Sequence, residues 1–190
     1  MKKTIFSLMA FTAFSSAIYA QTPDIKIGAK AGVNFANVTD GDMKTGFHVG
    51  GLVEIFINEK FSVQPELLYS TQGAKANNKI SELKLDYINV PIMAKYYVME
   101  GLSVQAGPQV AFLMKAESEI SSVGGIPVTG TFDIKDSLNT VDFGVNFGAG
   151  YELPMGVFAE ARYNLGLTKL PKEGGDYKNS VIQISVGYKF

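Results

Sequence analysis

His48 is the only histidine in the chain, and there is no cysteine. A histidine near a hydroxyl and a carboxylate is the raw material of acyl transfer, because a base within hydrogen-bond reach activates the hydroxyl. On the strand reading set out below, His48, Ser70 and Asp86 fall at similar height on three successive segments. Such a set would suit a lipid-modifying acyl transfer. Asp86 adjoins an irregularity that leaves its facing open, so the plainer reading is adopted, in which His48 is a polar residue lining a mouth. Other chemistries lack their groups. Without cysteine, disulfides and thiolate metal sites are excluded. The sequence has no HExxH, G-x-S-x-G or P-loop. "GDYKNS" and "TDGDM" are acidic fragments without the ligand density of a calcium loop. "GVNFGAGYEL" is rich in glycine, but no helix follows to cradle a phosphate. No catalytic, cofactor-binding or metal-ligating residue is assigned.

A second set of ionisable residues has a clear pattern. Lys30, Glu54, Glu66, Lys95, Asp142, Glu160 and Arg162 all occupy the polar phase of alternating segments, often at mid-segment and interspersed with glycine. Opposite charges on one face are expected to meet as an ion-paired lumen network, since a charge removed from water is costly unless paired.

The segments that carry them have a period of two, the mark of a strand with two unlike faces. In "DIKIGAKAGVNFANV", Ile25, Ile27, Ala29, Ala31, Val33 and Phe35 alternate with Lys26, Gly28, Lys30, Gly32 and Asn34. "GFHVGGLVEIF" sets Phe47, Val49, Val53 and Ile55 against His48, Gly50 and Glu54. "FSVQPELLYSTQ", "LSVQAGPQVAF", "VDFGVNFGAGYEL", "VFAEARYNLGL" and "SVIQISVGYKF" repeat the pattern. "LKLDYINVPIMAKYY" starts with Leu83, Leu85 and Tyr87 on the apolar phase and then moves to Ile88, Val90 and Ile92. A β-bulge near Tyr87–Ile88 is expected there. Pro65, Pro91 and Pro108 interrupt strands in which proline cannot donate to the ladder.

About eight strands in one domain follow, and the N-terminus lies outside it. "MKKTIFSLMAFTAFSSAIYAQ" has two lysines, a short apolar run and then small residues, so residues 1–20 read as a cleaved secretory signal and 21–190 as the barrel domain. That run is shorter than the ~20 residues a spanning helix needs. Charged residues are 18% of the 190 and the formal net charge is −1, which gives no footing for nucleic acid.

Eight alternating strands close either as a soluble barrel, apolar face inward, or as a membrane barrel, apolar face outward. The charged and glycine-rich polar face suits the interior of a small barrel, which side chains just fill. Connections alternate between short ("NEK", "VMEG", "LPMG") and long, the longest running from about Ala116 to Leu138. Membrane barrels have short periplasmic turns and long external loops. Aromatics near strand ends suit two interfacial girdles: Tyr96, Tyr151, Tyr188 and Phe190 on one rim, and Phe35, Phe47, Tyr69, Tyr87 and Tyr163 on the other. About eleven residues at ~3.4 Å rise, tilted ~45°, cover ~26 Å, enough for the apolar band.

The expected fold is therefore all-β, an eight-stranded antiparallel up-and-down transmembrane β-barrel in contact with outer-membrane lipid. Both termini would be periplasmic and the long loops extracellular. No channel wide enough for general solutes is expected.

"GAKAGVNFANV", "FSVQPELLYSTQG", "LDYINVPIMAKYY", "DFGVNFGAGYEL" and "AEARYNLGL" together resemble the PorT-like outer-membrane β-barrel family over nearly the whole mature chain. The resemblance implies an integral outer-membrane barrel of a Gram-negative bacterium, with no single activity and no motif to carry over. The closing strand, ending on Phe190, resembles the signal by which such barrels engage the assembly machinery. A structural or interaction role without enzymatic activity is expected. The alternatives are a soluble periplasmic or secreted ligand-binding barrel and a small lipid-modifying outer-membrane enzyme.

Overall fold

A computed structural model describes residues 24–38, 42–75, 81–123, 126–172, 175 and 177–190. The expected signal segment lies outside the described residues. The strands are β1 (Ile25–Val38), β2 (Asp42–Asn58), β3 (Phe61–Lys75), β4 (Ser81–Met99), β5 (Leu102–Val123), β6 (Ile126–Asp133), β7 (Val141–Glu152), β8 (Val157–Gly166) and β9 (Asn179–Lys189). One 3₁₀ turn, Lys135–Ser137, lies between β6 and β7.

Eight of these strands close a barrel in which every neighbour is antiparallel. The order β4-β3-β2-β1-β9-β8-β7-β5 is joined into a ring by the β4–β5 pairing. Chain closure is made by β1 and β9, from Gly28↔Lys189 to Val38↔Asn179. The backbone N–H of Phe190 extends that seam, donating to the carbonyl of Ile27 at 2.8 Å. Phe190 is thus the last rung of the closing ladder, and it leaves no free edge on the first or last barrel strand.

Side-chain facing follows the alternation. Ile27, Leu67, Ile184 and Val186 are half or more exposed, whereas the Lys30, Glu54, Glu66 and Arg162 side chains are buried. The apolar face is outside and the polar face inside, the inverse of a soluble barrel.

Short turns gather at one end. Glu59–Lys60 joins β2 to β3, Glu100–Gly101 joins β4 to β5, and Leu153–Gly156 joins β7 to β8. Gly101 (φ 76°) and Gly156 (φ 89°) occupy the left-handed region that those tight reversals need.

The prolines are accommodated by gaps in the ladders. Around Pro65 the β2–β3 pairs jump from Leu52↔Glu66 to Ile55↔Val63 without losing register. The β3–β4 pairs jump past Pro91, from Pro65↔Ile92 to Leu68↔Asn89, and the β4–β5 pairs past Pro108, from Pro91↔Gln109 to Ala94↔Ala106. A missing N–H deletes a rung but does not shift the strand.

Two sequence expectations are corrected. First, the segment 116–138 is not simply a loop: β5 continues to Val123 and β6 returns beside it, pairing from Val123↔Ile126 to Glu117↔Asp133. A ninth strand thus extends the sheet beyond the closed ring. Second, the irregularity near Tyr87 lies in the partner strand. Asp86 pairs with Lys115 and Tyr87 with Leu113, so the extra residue is Met114 of β5. β4 keeps its phase, and Leu85 and Tyr87 point inward, fully buried. Tyr87 therefore does not belong to the outer girdle. It joins Val38, Ala74, Leu85, Ala111, Leu113, Ala116, Leu138 and Leu170 in an apolar cluster that caps the lumen at the end opposite the short turns. At that height the wall no longer needs a polar inner face, because the connecting segments fold over it. Leu138 bridges to Pro171, and the Asn139 N–H donates to the carbonyl of Leu170 at 2.8 Å.

Candidate functional site: the filled lumen

Below the cap, the interior is stacked in layers set by strand register. Mid-barrel, Lys30 of β1 lies between Glu66 of β3 (2.7 Å) and Glu160 of β8 (2.6 Å). Arg162, two residues along β8 on the same face, donates Nη1 to Glu66 Oε2 at 2.8 Å and Nη2 to Glu66 Oε1 at 2.5 Å. Its Nη2 also reaches Glu160 at 2.9 Å and Gln105 Oε1 at 3.1 Å. Gln105 and Gln64 add further donors to Glu160 Oε2 and Glu66 Oε1, at 3.1 and 2.6 Å. Two cations and two carboxylates, all with fully buried side chains, form a neutral quartet. Paired charges with satisfied lone pairs are the tolerable form of buried ionisation.

A second ionic layer lies towards the short turns. Glu54 takes Lys189 at 2.5 Å and Lys95 at 3.2 Å. It also accepts from Ser62 (2.5 Å) and the Tyr97 hydroxyl (2.7 Å). Lys189 continues to Glu152 at 2.5 Å, and Glu152 to Lys26 at 2.9 Å. Gln64 joins the two layers, accepting from Lys95 at 3.3 Å and donating to Glu66.

Towards the cap the filling is hydrogen-bonded and mostly uncharged. Asn34 donates to Ser70 Oγ and to the carbonyls of Phe47 and Thr71 at 2.8–2.9 Å. Its Oδ1 is therefore the acceptor for His48 Nδ1 at 2.7 Å. That fixes the histidine tautomer: Nε2 accepts from the Ser185 hydroxyl at 2.7 Å. Gln183 donates to the same Asn34 oxygen, Gln72 donates to Ser70, and Asn179 donates to Gln72. On the opposite wall Asn164, Asn146 and Gln109 form a chain at 3.1–3.2 Å.

The seven lumen residues named from sequence thus divide. Lys30, Glu66, Glu160 and Arg162 meet in one layer and Glu54 with Lys95 in the next, while Asp142 belongs to neither ionic layer. The sequence reading missed Lys189, Glu152, Lys26, Gln64 and Gln105 as network members. All of them share the polar phase of their strands, so alternation already carried the signal. The His48, Ser70, Asp86 set does not assemble. Asp86 lies on the outer face, interacting with Tyr69. Ser70 reaches His48 only through Asn34. The hydroxyl that touches His48 is Ser185, and Asn34 orients the ring, an order of groups that resembles a nucleophile, a base and its orienter. All three are at most 1% exposed, so they brace the wall from within.

No wide channel crosses the barrel. Ionic side chains, amides and the apolar cap fill it in succession, as expected where eight strands leave an interior just wide enough for side chains. A recess of about 640 Å³ opens at the short-turn end, between Lys26, Phe56, Tyr97, Tyr151 and Glu152. Among the described residues no cluster of three or more histidine, cysteine, aspartate or glutamate side chains could hold a metal ion.

Comparison with solved structures places this geometry among small outer-membrane barrels. The attachment invasion locus protein Ail of Yersinia pestis, solved with the heparin analogue sucrose octasulfate, superposes with a TM-score of 0.55. It is 14% identical, over 88% of this chain and 99% of that one. Ail in a phospholipid bilayer nanodisc gives a TM-score of 0.50 at 13% identity, over 88% and 100% of the two chains. Neisserial surface protein A gives 0.53 at 13% identity, over 90% and 100%. At these identities the likeness is one of fold. No curated protein matches the chain. Residues 19–171 match the family described as outer membrane protein beta-barrel domain, and the chain, with its lipid-ready exterior and filled lumen, belongs to that family.

Proposed function

We propose that the protein acts as a structural or interaction protein of the bacterial outer membrane, displaying its long connections at the cell surface on a plugged barrel, and that it is not an enzyme. The observation that carries this reading is the lumen. It is closed by an apolar cap on the side of the long connections, and its one serine–histidine pair is sealed inside. What remains accessible is lipid-facing wall and the two rims.

In this reading residues 1–20 are removed on export, both termini lie in the periplasm, and the segments near 38–44, 74–82, 116–137 and 168–179 face outward. The short turns and the extended β5–β6 hairpin at opposite ends support that polarity. The closing strand with Phe190 offers the assembly machinery its signal. Within the wider family the sequence most resembles the PorT-like members. That Ail was solved with a heparin analogue supports surface binding as a role for barrels of this shape.

The test is surface labelling with fractionation. A tag inserted at Gly125, between β5 and β6, should be labelled on intact cells. The protein should fractionate with the outer membrane and run as a heat-modifiable band. Labelling only after permeabilisation would overturn the orientation.

A further inference from the structure

Apart from Arg162 Nε in the mid-barrel layer, the unpartnered polar atoms of the described lumen lie towards the cap. Four buried side-chain oxygens between the amide layer and the cap have no hydrogen-bond partner: Asp142 Oδ1, Asn89 Oδ1, Asn179 Oδ1 and the Tyr87 hydroxyl. Their residues are 8%, 1%, 2% and 1% exposed. Buried polar groups are nearly always paired, so four oxygens left bare in one region call for an occupant.

Strand register brings them together. Asn89 of β4 pairs with Ala111 of β5, and Ala111 pairs with Asp142 of β7. Asn89 and Asp142 thus flank a single inward methyl group. Tyr87 is two residues from Asn89 on the same face of β4, and its hydroxyl lies close enough to Asp142 to feel the carboxylate charge. On the other flank, β8 separates β7 from β9, and its inward residue Gly166 packs against the Asn179 backbone. The inward residues between them are small, Ala111 on one side and Gly144 and Gly166 on the other, with the Asn164 side chain lying over Gly144.

The electrostatics ask for a positive charge there. The mid-barrel quartet is internally neutral and cannot compensate another carboxylate. Asp142 interacts with Thr168 and with the Phe143 backbone, contacts that supply no cation and leave Oδ1 bare. A buried, uncompensated carboxylate is costly. The donor set is all oxygen, with one carboxylate, two amides and a phenol. Oxygen donors suit hard cations, and a single formal charge is balanced by a monovalent one.

We propose that the outer lumen holds a small monovalent cation of the sodium class, coordinated by the side-chain oxygens of Asp142, Asn89, Asn179 and Tyr87. The ion would neutralise Asp142, satisfy the four oxygens and tie β4, β7 and β9 together beneath the cap.

The probe is sodium itself. Urea unfolding midpoints of the refolded full barrel are compared in sodium chloride and in choline chloride at equal ionic strength. The wild-type midpoint should be higher in sodium and should rise with the logarithm of its concentration, as mass action requires of a ligand bound only to the folded state. Asp142→Asn should abolish the difference between the salts. If that variant does not fold, Tyr87→Phe removes one donor, keeps the charge, and should weaken the sodium dependence. Equal wild-type midpoints in the two salts would assign the oxygens to water or a proton and overturn the proposal. A sodium effect undiminished in Asp142→Asn, or in Tyr87→Phe where Asp142→Asn does not fold, would place sodium elsewhere and overturn it equally.

Discussion

Replacing Arg162 by methionine keeps a long side chain and removes one guanidinium from the mid-barrel quartet. In the wild type Arg162 gives Glu66 two hydrogen bonds, at 2.8 and 2.5 Å, and holds Glu160 at 2.9 Å. In the variant, two buried carboxylates share the single cation Lys30, and the layer passes from neutral to one net negative charge. No water reaches them, since the side chains of all four residues are at most 2% exposed. Breaking a buried pair in this way costs roughly 3–5 kcal/mol. With a urea slope of about 2 kcal/mol/M, the midpoint should fall by about 2 M. Arg162→Glu should lower it further, because three carboxylates then crowd one lysine. Adding Glu66→Gln to Arg162→Met leaves Lys30 and Glu160 as a neutral pair and should recover part of the loss. Leu165→Met, on the lipid face, is the control and should do little. The assay is urea unfolding of the refolded barrel, followed by tryptophan-free circular dichroism or by the heat-modifiable band. An Arg162→Met barrel that resists urea like wild type would show that Arg162 is outside a buried network, and the inward facing of β8 would then be wrong.

The cap and the lumen give further predictions. Leu85 is fully buried in the apolar cap, so Leu85→Ala should cost about 2–5 kcal/mol, measured as a lowered urea midpoint. An unchanged midpoint would mean that the cap collapses around the cavity or does not form. In planar bilayers the purified protein should show no large, stable conductance steps, because ionic and amide layers block the axis below the cap. Ser185 should not react with a fluorophosphonate in the folded protein, despite its 2.7 Å contact with His48. Labelling that requires the native fold would refute the sealed reading and reopen acyl transfer.

Much of this protein was legible in the sequence because strand facing is a local property. A period of two is fixed by the pleat, residue by residue, whatever the partner strand. Lys30, Glu54, Glu66, Lys95, Asp142, Glu160 and Arg162 could therefore be assigned to the interior, and Phe47, Tyr96, Tyr188 and Phe190 to the exterior, from alternation alone. The surplus of glycine and mixed charge on one face then chose outer-membrane closure over a soluble core.

Who meets whom across the lumen was decided by tertiary structure. Lys30 and Glu160 are 130 residues apart in sequence, and their 2.6 Å contact depends on the stagger of a closed ring of strands, which no local pattern encodes. The same holds for His48, whose ring meets the hydroxyl of Ser185 rather than that of its cross-strand neighbour Ser70. Where the inference assumed that apolar residues must face lipid, it failed: Leu85 and Tyr87 point inward. At the end opposite the short turns, the packing of the 134–140 and 167–172 segments against the inner wall sets which face is dry. The sequence determined the two faces of each strand through pleat geometry. Ring closure and register determined the ion pairs, the cap and the bare oxygens around Asp142, because those contacts exist only once all eight strands share one axis.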